Sequence, residues 1–95
     1  MGRSYHPTRR VKPTAVRLGD VVLIPRASGT RWLLVDYVNP AMPGVAWSGR
    51  WAFGDDAGAW TIVQVDMHRD YVAKDRRDAA RDHDRLAKLP RNAHV

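Results

Sequence analysis

The sequence predicts a mainly β protein: a small antiparallel barrel of about five strands, a C-terminal α-helix and a flexible basic N-terminal arm. Three observations carry this reading. Within Arg17 to Val38, two short apolar runs, Val21 to Ile24 and Trp32 to Val38, are rich in Val, Ile, Leu, Trp and Tyr and bounded by Gly, Pro or Asn. That is the signature of strands. Two later stretches, Val45 to Phe53 and Ala59 to Met67, repeat the composition between turn signals. From Tyr71 onward the apolar spacing changes to one near 3.6, the period of a helix.

At 95 residues the chain is one domain, large enough for a modest core without disulfides or metals. Cysteine is absent, which excludes thiolate nucleophiles, disulfides and cysteine-ligated zinc. The longest apolar runs are about four residues, against the roughly 20 that a transmembrane helix needs. The opening MGRSYHPTRR has charge but no apolar segment, so it does not read as a secretory signal. A soluble, cytoplasmic protein without membrane contact is expected.

Charge is unevenly placed. Residues 1–17 carry Arg3, Arg9, Arg10, Lys12 and Arg17 with no acid, a net of +5. Residues 18–70 carry four Arg and six Asp, a net of −2, and residues 71–95 carry seven basic residues and four Asp, a net of +3. The positive charge therefore sits in the flanks of a mildly acidic centre. The bias toward Arg over Lys, with no Glu at all, reads as the mark of a GC-rich genome.

Taken in order, residues 1–14 have two prolines and little apolar content, so they are expected to form an extended arm. Such an arm either solubilises the protein or lies along nucleic-acid phosphates. Residues 15–74 are expected to hold the barrel and residues 75–95 the helix and tail. Leu18-Gly19-Asp20 opens the first barrel strand: Gly19 suits a tight bend with φ > 0, and Asp20 can accept from a nearby backbone N–H. The polar residues Pro25 to Thr30 join it to the second strand. Alternation there puts Leu33, Val35 and Tyr37 on one face, and Trp32, Leu34, Asp36 and Val38 on the other. A Leu-Gly-Asp-Val-Val opening, a loop ending in Gly and a WLLVDYV strand resemble the start of SH3-like small barrels, the Tudor and KOW group among them. The likeness spans roughly Val16 to Val65. It implies a strongly bent five-stranded barrel whose relatives bind nucleic acids or short peptides.

Asn39 to Gly44 is a loop by its two prolines and glycine. In Val45 to Phe53, Ser48-Gly49 suits a two-residue hairpin turn, the alternative being one bent strand with a bulge at Gly49. Gly54 to Gly58 is a turn. In the following strand Thr61, Val63, Val65 and Met67 should face the core, with Trp60, Ile62, Gln64 and Asp66 opposite. Ala79, Ala80, His83, Leu86 and Ala87 form a narrow apolar stripe, so Asp75 to Leu89 reads as a helix stopped by Pro90. Asp84 with Lys88 and Asp78 with Arg81 would support it locally.

Candidate chemistry is sparse. Asp66, His68 and Asp70 would share one face of a continuing strand and could hold a divalent metal, or they simply end a polar strand in water. No phosphate-cradling glycine loop or nucleophile motif occurs, so no enzyme activity and no cofactor are expected. The tryptophans are more suggestive. Trp32, Trp47, Trp51 and Trp60 either fill the core, or Trp47 and Trp51, flanking Arg50 at a hairpin tip, form an exposed stacking platform or interface. The leading expectation is a nucleic-acid-binding module using Arg3, Arg9, Arg10, Lys12, Arg17, Arg50, Arg76, Arg77 and Arg81. The alternative is a protein-interaction module, such as a small phage or accessory factor docking on a host protein through its tryptophan face. Because Trp32, Leu34, Trp60 and Ile62 share a face, self-association is also expected.

Overall fold

The two apolar runs of the central stretch pair as antiparallel strands, with a tighter connection than their sequence suggests. A computed structural model describes residues 8–41 and 44–89. Among these residues six strands occur: β1 (Thr8–Val11), β2 (Val21–Arg26), β3 (Gly29–Pro40), β4 (Val45–Trp51), β5 (Trp60–Gln64) and β6 (Tyr71–Lys74), followed by helix α1 (Arg76–Ala87). The β2–β3 ladder runs out to Arg26 opposite Gly29, so only Ala27 and Ser28 make the turn. Pro25 is tolerated inside the ladder because β6 pairs with β2 only at Val22 and Leu23. Beyond them β2 is an edge, where a missing N–H leaves no bond unmade.

All six strands form one antiparallel sheet in the order β1-β6-β2-β3-β4-β5. Strands β2 to β5 form a meander, and β6 returns beside β2. One core cluster lies on one face and draws on both edge strands, with Val11 of β1 and Val63 of β5 joining Val22, Ile24, Leu33, Val35, Trp47, Trp51, Tyr71 and Ala73. The sheet therefore curls around this face. The opposite face carries a second, smaller cluster, in which Val21, Leu34 and Ala52 pack against Ala79 and Leu86 of α1.

The bend of β3 has a specific cause. Val35 pairs with Gly49 but Tyr37 with Ser48, so Asp36 is an extra residue, a β-bulge. Gly49 is required opposite it, since a Cβ there would run into the Leu34 carbonyl oxygen. The bulge resets alternation. Tyr37 leaves the Leu33 and Val35 face expected of it and joins Leu34, Arg50 and Trp60 on the other.

Several expectations are corrected. Residues 8–11, read as part of a flexible arm, form β1 against β6, and Pro13–Ala15 form a short 3-10 turn. Residues 1–7 of the arm, including Arg3, lie outside the described residues. No hairpin divides Val45 to Phe53: the stretch is a single strand to Trp51, because Gly49 serves the bulge of its neighbour rather than a turn. Tyr71 to Lys74, read as the approach to the helix, is a strand pairing on both sides. Four residues are too few for a period of two to stand out.

The helix forms within one residue of its expected start. Asp75 is its N-cap, accepting from the Asp78 N–H at 3.0 Å. Its buried stripe is Ala79, Asp82 and Leu86, whereas Ala80, His83 and Ala87 are exposed. At the sheet's entrance Gly19 has φ 91°, and Asp20 accepts from the Arg17 N–H at 2.9 Å, as its sequence suggests. Among the described residues no helix is long and apolar enough to cross a membrane.

Candidate functional site

Where α1 leaves β6, a buried charge pair sits beneath two aromatic rings. Lys74 ends β6 on the helix-covered face, directly before the Asp75 cap, so its side chain runs under the helix. Its Nζ donates to Asp82 Oδ2 at 2.8 Å, and each side chain is only 9% exposed. Asp82 Oδ1 accepts from Arg85 Nη2 at 3.2 Å. The same Lys74 Nζ lies 5.1 Å from the Trp32 ring centroid and 4.6 Å from that of Phe53, and the Arg85 guanidinium lies 4.3 Å over Phe53. Cations so placed are attracted to the electron-rich ring faces.

Beside this cluster opens a cleft of about 590 Å³ lined by Thr30, Arg31, Trp32, Phe53, Gly54 and Lys74. Its size falls within the range of small-ligand sites, and its lining is apolar rings with a few cations. Arg31 fixes one wall. It donates to Phe53 O at 2.9 Å and to both carboxylate oxygens of Asp56 at 2.5 and 3.2 Å, tying the β4–β5 loop to β3. Hydrogen bonding from Arg31 holds the Asp56 carboxyl below its ordinary range, and Asp56 in turn raises the Arg31 guanidinium. Arg31 also lies 4.4 Å over the Trp51 ring, where Arg26 approaches the same ring at 5.2 Å. Arg31, Lys74 and Arg85 thus outnumber Asp56 and Asp82 by three to two, while Arg26, which has no carboxylate partner among the described residues, lines a separate cleft with Ile24, Ile62 and Tyr71.

The residues singled out in the sequence are distributed differently. Trp47 is fully buried, packed edge-on to Tyr71 at 4.9 Å, and its indole N–H has no acceptor among the described residues. Trp51 is buried beside it in the same cluster. Neither forms an exposed platform: in one continuous strand both point into the core, and Arg50, one position out of phase, points away. Arg50 instead pairs with Asp36 at 2.9 Å through both Nε and Nη2, a bond that raises its guanidinium further. Trp32 is half-buried in the cleft, and Trp60 is 53% exposed.

Among the basic candidates, Arg9 is tied down, donating to Lys74 O at 2.9 Å and lying 3.6 Å from Asp20. Arg10, Lys12 and Arg17 are exposed around β1 and the turn after it, Arg76 and Arg77 are exposed at the start of α1, and Arg81 pairs with Asp78 at 3.7 Å. Of all the residues singled out, only Trp32 lines the cleft. Asp66, His68 and Asp70 do not share a strand face, since β5 ends at Gln64. Asp66 Oδ1 accepts from the His68 N–H in a turn, and no group of three potential metal ligands forms among the described residues.

Phe53, Lys74, Arg31, Arg26 and Arg85 were not singled out by the sequence. The Arg31-Trp32 pair was a visible signal, an aromatic beside a cation at a strand's start. Lys74 and Asp82 are eight residues apart across a strand–helix junction, where no periodicity links them.

Comparisons with protein-family models, with curated proteins and with solved structures returned no match for this chain.

Proposed function

We propose that this chain is a small non-enzymatic module that binds single-stranded nucleic acid, with a base stacked in the Trp32–Phe53 cleft and the adjoining backbone held by Arg31 and Arg85. The carrying observation is the cleft itself, which combines two accessible aromatic rings with a surplus of cations. Stacking on aromatic side chains with charge along the backbone is how single strands are bound without base pairing. Exposed Arg10, Lys12, Arg76 and Arg77 add to the general positive field. The curled sheet, in which the strand following a four-strand meander returns beside its first member, supports membership of the SH3-like small barrels as the finer fold reading.

The test is a salt titration with matched single-stranded and duplex DNA. Single strands should bind more tightly, because a paired base cannot enter the cleft. Their affinity should fall with log salt by about 0.7 per neutralised phosphate. Equal binding of duplex, or no binding at low salt, contradicts the reading.

A second reading rests on a separate observation. Tyr37, Trp60 and Ile62 are 58, 53 and 66% exposed on the half of the sheet that α1 leaves uncovered, with Tyr37 edge-on to Trp60 at 5.8 Å. Trp60 and Ile62 belong to β5, an edge strand with the uncharged sequence WTIVQ, and Tyr37 reaches them from β3. A second copy of this chain fits that face, since self-pairing there brings no like charges together.

A further inference from the structure

We infer that the cleft reads the base it holds, selecting guanine over adenine; this rests on the reading of the cleft as a base-binding site. The observation is the position of the Lys74 ammonium. With its stem buried under α1 and Nζ anchored on Asp82 at 2.8 Å, it is fixed between the Trp32 and Phe53 rings at the cleft wall. An ammonium carries three N–H donors and no acceptor. Asp82 takes one, and among the described residues no other group accepts from Nζ.

A purine offset-stacked on the Trp32 ring, over whose face Nζ lies, would turn an edge toward that Nζ. Guanine presents O6 and N7 there as adjacent acceptors, the pair that lysine and arginine commonly engage. Adenine presents N7 beside the N6 amino group, a donor that an ammonium repels. Neither nearby carboxylate, Asp82 or Asp56, lines the cleft. Both oxygens of Asp82 already accept, from Lys74 and Arg85, and both oxygens of Asp56 accept from Arg31. Among the side chains lining the cleft, only the Thr30 hydroxyl can accept. The polar wall is thus donor-rich, and a donor-rich wall favours the base with paired acceptors.

The experiment compares short oligothymidines carrying one central purine, bound to the full chain: guanine, hypoxanthine, adenine or 7-deazaguanine. Hypoxanthine keeps O6 and N7, whereas 7-deazaguanine keeps O6 alone. Guanine and hypoxanthine should bind about tenfold more tightly than adenine, within the range of a two-acceptor contact. The 7-deazaguanine oligomer should fall most of the way toward adenine. Equal binding of all four, with Trp32→Ala weakening all four, overturns the selectivity and leaves the base-binding reading standing. A preference for adenine does the same. Failure of the wild-type chain to bind any of the four overturns both.

Discussion

Lys74 and Asp82 are held where charges are rarely found, and the fold tolerates this only while the pair is intact. Removing one partner strands the other under α1. Asp82→Ala should therefore cost about 3–5 kcal/mol of stability, read as a lower urea midpoint with an unchanged slope. A loss of less than about 1 kcal/mol, the scale of an exposed pair, would mean that the site is wetter than its packing implies. The Arg31–Asp56 pair is of the exposed kind and bears on binding instead. Asp56→Asn should leave stability nearly unchanged and, by freeing Arg31 of a competing carboxylate, tighten single-strand binding at low salt without adding a phosphate to the salt slope. Acid should act in the same direction. The folded Asp56 pKa lies below its unfolded value, so the pair's contribution is complete above the ordinary carboxylate range and is lost as pH falls through the lowered value. Arg50→Ala, by contrast, removes a cation already committed to Asp36 and remote from the cleft, so nucleic-acid binding should not change.

At the scale of the elements, the bulge at Asp36 decides the fold's curvature. Gly49→Ala should destabilise by about 1–3 kcal/mol or more, the cost of forcing atoms into a packed interior, because the obstructing group is backbone and cannot swing aside. A thermal midpoint within a degree of the wild type would show that the bulge relaxes freely. The sequence made some of this architecture legible. The apolar run Val21 to Ile24, the alternation of Trp60 to Gln64 and the helix beginning at Asp75 all report local physics, and those elements form close to where expected. The bulge and β6 were not legible, and the burial of Trp47 and Trp51 was one of two readings the sequence left open. Each depends on which strand lies alongside: Gly49 reads as a turn until β3 is placed opposite it. The helix face was misjudged for a similar reason, since a buried Asp is implausible until Lys74 is beneath it. The cleft was legible only through Trp32, as its other walls come from segments that meet in the fold.

Across the whole molecule the two sheet faces are treated unequally. The concave face is filled by three large aromatic residues and aliphatic neighbours, while the outer face is covered by α1 on one half and left apolar on the other. If a second copy covers the open half, sedimentation should show concentration-dependent association that Ile62→Lys abolishes without loss of fold. A strict monomer at high concentration contradicts that arrangement. The central claim is that the Trp32–Phe53 cleft holds an unpaired base, and the most direct measurement of it compares the wild type with Trp32→Ala and Phe53→Ala. Each is titrated with a labelled single-stranded oligonucleotide at low salt, with unfolding curves recorded alongside. Each substitution should weaken binding by about 1–3 kcal/mol, the value of one base–aromatic stack, while the salt slope, set by the cations, stays the same. Folded variants that bind as tightly as the wild type would contradict the account.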